Sequence, residues 1–222
     1  MTTRVLVVDD QAVVRAGFAA VIEDEPDLTV AGQAADGGEA VELARTSRPD
    51  VVLMDIRMPG MDGLTATRLL TAADPPVCVL VLTTYRRDEY VFSALRGGAS
   101  GFLLKDCDPQ ELVDAIRTVA AGEALLAPEI TRRLIDAFAT GAVAPRARPE
   151  GRLDALTGRE RDVLREVARG LSNTEIAATL GIGRATVKSH MNALLAKLSL
   201  RDRAQVIIFA YEVGIARPGE HR

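Results

Sequence analysis

The chain has 222 residues, 48% of them hydrophobic, and a formal net charge of −4 at pH 7. That length allows one large or two small domains with real cores, and no apolar run approaches the ~18 residues of a membrane helix, which predicts no membrane partner. A strand follows Met1 almost at once and the only cysteines, Cys78 and Cys107, lie far apart, so we expect no signal peptide, no disulfide framework or thiolate metal cluster, and a cytoplasmic protein.

Residues 1–122 alternate short apolar runs with helical patterns. The runs are Arg4–Val8, Leu28–Ala31, Val51–Met54, Val77–Leu82 and Gly101–Leu104. Between them the periodicity predicts helices over Ala12–Glu23, Gly38–Arg45, Leu64–Ala72 and Asp88–Arg96, with another over Pro109–Ala121. Five β-α repeats predict an α/β doubly wound, five-stranded parallel sheet with helices on both faces. The central runs are apolar throughout, as strands covered on both sides should be.

After this module, Pro128–Phe138 reads as one more helix. Ala139–Arg152, "ATGAVAPRARPEGR", lacks periodicity and reads as a flexible linker, so the connection spans 123–152. Residues 153–216 form a small all-α domain. "TGRE" (Thr157–Glu160) and "SNTE" (Ser172–Glu175) are capping boxes, each opening a helix. The charge divides the same way: net −9 over residues 1–125, +1 over 126–150 and +4 over 151–222. An acidic front and a basic back suggest different partners, a cation or charged protein for one and nucleic acid for the other.

In a doubly wound sheet all parallel strands end on one edge, where ligands bind. The first strand ends on Asp9 and Asp10, the third on Asp55, the fourth on Thr83 and the fifth on Lys105, in "LVVDD", "VVLMDIRMPGMDG", "LVLTTY" and "GFLLKD". Taken singly, each is an ordinary cap, turn residue or surface cation. Together they bring three carboxylates, a hydroxyl and a lysine to one place. A divalent metal with Lys105 balances the three negative charges. Oxygen-only ligands favour a hard cation, Mg²⁺ or Mn²⁺. Asp55 is then free to act as a nucleophile toward phosphorus, while the metal, Lys105 and Thr83 stabilise the transferred oxygens.

These motifs, in order and at matching spacing, resemble the receiver domain of bacterial two-component response regulators. The resemblance implies that Asp55 is the phosphoacceptor and that Asp10 and Asp55 ligate Mg²⁺. It adds the Arg57 backbone carbonyl as a ligand and Asp9 acting through water. It makes Thr83 and Phe102 a switch pair: Thr83 moves toward the phosphoryl group and Phe102 turns inward. A sensor histidine kinase would supply the phosphoryl group. Pro59 and Gly60 would shape the turn after the nucleophile, and Gly63 the next helix start.

In the second module, "EIAATLGIGRATVKSHMNALLAKL" holds two helices joined by Gly181-Ile182-Gly183, a helix-turn-helix pattern. Val187, Met191, Leu194 and Leu198 recur as a core stripe. Opposite them, Lys188, Ser189 and Asn192 suit base edges in a major groove. Thr186, His190 and Lys197 suit phosphate contacts. Only three lysines stand against 24 arginines, and two of the three lie here. A solvated polar face is the plain alternative, which the Gly turn and the net basic charge weigh against.

This half resembles the LuxR-type helix-turn-helix of the NarL/FixJ subfamily. One departure is Gly183, where the family usually has a Ser N-cap with a phosphate contact. The last helix, Asp202–Val213, is apolar on more than one face: it is either buried all round or awaits a partner. The resemblance implies a homodimer through Val206, Ile207, Phe209 and Ala210, binding double-stranded DNA with two half-sites. The expectation is a phosphorylation-switched, DNA-binding transcription regulator that is not an enzyme beyond its own phosphoryl transfer and dephosphorylation. A haloacid-dehalogenase-like phosphatase wants a second Asp two residues after the first-strand nucleophile, and Gln11 follows Asp9-Asp10 here. A receiver no longer phosphorylated is the other rival, against which the full acidic set stands.

Overall fold

The computed structural model describes residues 2–83, 93–121, 125–126 and 152–215. The chain divides into two compact units, residues 1–125 and 126–222. In the first, β1 (Thr3–Val8), β2 (Leu28–Ala34), β3 (Val51–Asp55), β4 (Cys78–Thr83) and β5 (Gly101–Leu104) alternate with α1 (Ala12–Glu23), α2 (Gly37–Ser47), α3 (Gly63–Thr71) and α4 (Pro109–Ala120). The strand order is β2-β1-β3-β4-β5, all four pairings among these strands are parallel, and a two-residue β6 (Leu125–Leu126) extends the order beyond β5.

The expected five-stranded parallel sheet is therefore present. β3 is buried at all five positions, which explains its unbroken apolar run up to Asp55. Val5, Val7, Leu53, Leu80 and Ile116 are among the core residues on one side. β2 runs three residues past its expected end. Its partner register skips one residue between Val5 and Leu6, a bulge that lets this edge strand continue through Gly32. Of the helix expected over Asp88–Arg96, only Ser93–Arg96 falls among the described residues, and it is helical. The expected helix Pro128–Phe138 lies outside them, as does the linker Ala139–Arg152 except for its last residue.

Local chemistry places the helices. Asp36, Asp62 and Asp108 each cap a helix, accepting backbone N–H groups from Gly38 and Glu39, from Thr65, and from Glu111. Gly63 opens α3 against β3, and its N–H donates to the Ile56 carbonyl at 3.0 Å. A Cβ there would stand 1.8 Å from the Asp55 carbonyl oxygen, so only glycine allows the approach.

The second unit holds α5 (Gly158–Ala168), α6 (Asn173–Leu180), α7 (Arg184–Leu198) and α8 (Arg203–Glu212). Both capping boxes form in full, Thr157 with Glu160 and Ser172 with Glu175. Gly181 ends α6 at φ 64°, a left-handed conformation that a side chain resists. Val187, Met191, Leu194 and Leu198 are buried, as the stripe predicts.

The residues expected to form the dimer helix lie inside the second unit. Val206, Ile207, Phe209 and Ala210 are at most 4% exposed within this one chain. α8 packs chiefly against α5 and also against α7, and the Arg152 guanidinium lies 5.2 Å from the centre of the Phe209 ring. With so small a domain, a helix apolar all round is spent on the monomer's own core.

Candidate functional site

The sheet edge brings the expected groups together. Asp9, Asp10 and Asp55 each place a carboxylate oxygen within 4.8 Å of the others. Lys105 Nζ reaches Asp9 Oδ2 at 2.5 Å and Asp55 Oδ2 at 2.9 Å. The backbone fixes both acids: Gln11 N donates to Asp9 Oδ1 at 2.9 Å, and Ile56 N donates to Asp55 Oδ1 at 2.8 Å. Asp9 and Asp55 are buried, whereas Asp10 is exposed. Asp10 is thus the open side of the cluster.

Burial pushes the Asp55 carboxyl above the ordinary aspartate value, and the hydrogen bond and charge from Lys105 offset only part of that rise. Burial alone would depress Lys105, but its bonds to Asp9 and Asp55 outweigh it and raise the ammonium. The site therefore holds a permanent cation against two acids. Asp9 Oδ2 is buried and, among the described residues, meets only the Lys105 ammonium, which leaves lone-pair capacity on that oxygen. An all-oxygen cluster with such an acceptor fits a divalent metal.

Thr83 is buried at the end of β4, and its carbonyl accepts the Lys105 N–H at 3.0 Å. Phe102, on β5, is 1% exposed, so it already lies inside. Arg57 is exposed beside Asp55 in the turn leading to α3. Sequence reasoning missed Arg15, whose Nη1 donates to the Asp9 carbonyl at 2.6 Å from one turn into α1. Its place on the helix after the acidic pair was the available signal.

On α7, Thr186, Lys188, Ser189 and Asn192 are exposed and His190 is half-buried, on the side away from the core stripe. Lys197, also on α7, is exposed and ion-paired. Its Nζ holds both carboxylate oxygens of Glu160, at 2.9 and 2.7 Å, and Glu160 is buried. Lys197, itself exposed, thus ties α7 to α5. A buried carboxylate demands a cation, and Lys197 supplies it.

Residues 5–117 match the response regulator receiver domain, and residues 154–210 match the bacterial regulatory proteins of the luxR family. The chain belongs to the NarL/LuxR family of response regulators. The regulator is 40% identical over 214 residues to the uncharacterized transcriptional regulatory protein YxjL of Bacillus subtilis (strain 168), covering 96% of this chain and 97% of that one. It is 37% identical over 208 residues to the nitrate/nitrite response regulator protein NarL of Escherichia coli (strain K12), covering 94% of each. Among solved structures it is similar to ChrA, the response regulator of a heme-sensing two-component system, at 35% identity and a TM-score of 0.53, over 97% of this chain and 99% of that chain.

Receiver and LuxR-type domains in one chain make the regulator a phosphorylation-dependent, DNA-binding transcription regulator rather than a conventional enzyme. Among the described residues no helix is long and apolar enough to cross a membrane.

Proposed function

We propose that Asp55 is the phosphoacceptor and that its phosphorylation, drawn from a sensor histidine kinase, controls the DNA-binding domain. The observation that carries this reading is the position of Asp55: buried, anchored through Oδ1 by Ile56 N, and held through Oδ2 by Lys105. An Asp55 oxygen forms the new P–O bond while the P–N bond to the donor histidine breaks and its electron pair returns to the imidazole. Lys105 stays beside the oxygens where charge gathers, and it is already oriented by Asp9. The Thr83 hydroxyl is the hydrogen-bond donor for one transferred oxygen. Mg²⁺, with Mn²⁺ as a substitute, would be held by Asp10, Asp55 and the Arg57 carbonyl, with Asp9 through water, and would supply Lewis-acid stabilisation of the phosphoryl oxygens. The same site would later return the group to water.

Intact-mass measurement with acetyl phosphate tests this. The wild type gains one phosphoryl group in the presence of Mg²⁺ and not with a chelator, and Asp55→Asn gains none. Equal labelling of both proteins overturns the assignment. With α8 spent on its own core, we further propose that activation pairs the receivers into a homodimer, placing two recognition helices on two half-sites. An unchanged sedimentation coefficient with bound beryllofluoride counts against that pairing.

A further inference from the structure

The cations of the DNA-binding unit are unequally engaged. Arg159 and Arg165 pair with Asp162, Arg169 with Glu166, and Lys197 with Glu160. Arg161 donates to the Leu153 carbonyl, Arg152 to the Leu198 carbonyl and Arg203 to Asn173, while Lys188 has an interaction of its own. Among the described residues 152–215, two arginines have no such partner: Arg184 and Arg201. Both are exposed. They bracket one element, since Arg184 is the first residue of α7 and Arg201 lies three residues past its end.

We infer that Arg184 and Arg201 are phosphate-contacting residues at the two ends of the recognition helix. The other arginines among the described residues 152–215 are satisfied by carboxylate, carbonyl or amide oxygens of the chain itself. Two guanidinium groups left open at opposite ends of one helix are suited to an anion outside the chain. α7 has 15 residues and spans roughly 22 Å at 1.5 Å per residue. The major groove is only about 12 Å wide, so a helix seated in it places its ends near the phosphodiester walls. Lys188, Ser189 and Asn192 then sit between the two arginines, where base edges lie.

Gly183 adds an independent reason for Arg184. It caps α7 with no side-chain hydrogen bond, so its own position offers no side chain to the first-turn N–H groups. Those groups and the positive end of the helix favour an anion, and Arg184 adds a full charge at that point. Arg184 thereby offers a guanidinium to an anion at that end of the helix.

This inference rests on the reading of α7 as the recognition helix, and the test separates the two. The full-length chain, wild type and variant, is titrated on a random-sequence duplex and on a duplex selected with the wild type, at several salt concentrations. The variants are Arg184→Gln, Arg201→Gln, their combination, and Lys188→Ala with Asn192→Ala. Each arginine variant should weaken both duplexes about equally and lower the log–log salt slope by about 0.9 for each phosphate left without its arginine, and the combination should lower it by about twice as much. Arg184→Lys should restore most of the slope. Unchanged slopes in Arg184→Gln and Arg201→Gln, with binding altered in Lys188→Ala or Asn192→Ala, overturn the phosphate assignment and leave the recognition helix standing. An arginine variant that relaxes sequence preference on the selected duplex alone also overturns it, because that residue then reads bases. If all the variants are silent, the reading of α7 falls with it.

Discussion

Lys197 Nζ grips both oxygens of the Glu160 carboxylate, joining the last turn of α7 to the first turn of α5. Glu160 also accepts the Thr157 N–H at 2.7 Å, so one buried side chain caps its own helix and anchors the recognition helix. Lys197 holds the Glu160 carboxyl below the ordinary glutamate range. A depressed folded value gives stability that is present above the unfolded value and lost as pH falls through the folded one. Lys197→Ala should cost the DNA-binding unit about 1–3 kcal/mol at pH 7, with little change in the salt slope of DNA binding. Thermal melts should show that deficit shrinking below the ordinary glutamate value of 4.5. A constant deficit from about pH 7 down to about pH 3.5 would contradict the tie.

Gly63 stands so close to Asp55 that a methyl group would displace the nucleophile's own carbonyl. Gly63→Ala should slow phosphorylation by acetyl phosphate and destabilise the receiver by about 1–3 kcal/mol. Gly17 offers a control, since a Cβ there meets nothing within 4 Å. Gly17→Ala, within α1, should stabilise the receiver by roughly 0.5–1 kcal/mol. Equal effects of the two substitutions on melting would refute the steric account.

Phe209 distinguishes a core helix from an interface helix. Phe209→Ala should destabilise the second unit of the monomer by about 3–5 kcal/mol, read by denaturant unfolding. A dimer contact would behave otherwise: stability unchanged in dilute monomer, with assembly on DNA abolished. Tyr211, whose hydroxyl donates to the Ala168 carbonyl at 3.1 Å, belongs to the same packed face.

Cys107 should be a poor nucleophile. Burial, helped by the nearby charges of Glu111 and Asp108, pushes its thiol up to about 11. Because the thiolate is the reactive form, a raised value means little reaction below it. At about pH 8 its alkylation by iodoacetamide should run more than about a hundredfold slower than that of a free cysteine, and accelerate as pH rises toward the thiol's own value. Peptide mapping by mass spectrometry reads this residue separately from Cys78. Half-maximal reactivity near about pH 8.5, the value of a free cysteine, would show that the thiol is not perturbed.

The order of strands and helices, the meeting of Asp9, Asp10, Asp55, Thr83 and Lys105 on one edge, and the two capping boxes were all legible in the sequence by itself. Each depends on local periodicity or on which residue ends a strand, and a parallel sheet converts strand ends into neighbours without further information. The stripe through Val187, Met191, Leu194 and Leu198 was legible for the same reason. What the tertiary structure alone decided was which face meets which. Lys197 finds Glu160 across 37 residues of chain, and nothing local distinguishes it from a lysine facing DNA. α8 reads as apolar on several faces whether a second copy or its own domain covers it, and only packing against α5 and α7 shows that the monomer does so. Long-range pairing depends on how helix faces are rotated and docked, and that arrangement is a property of the assembled core rather than of any one segment.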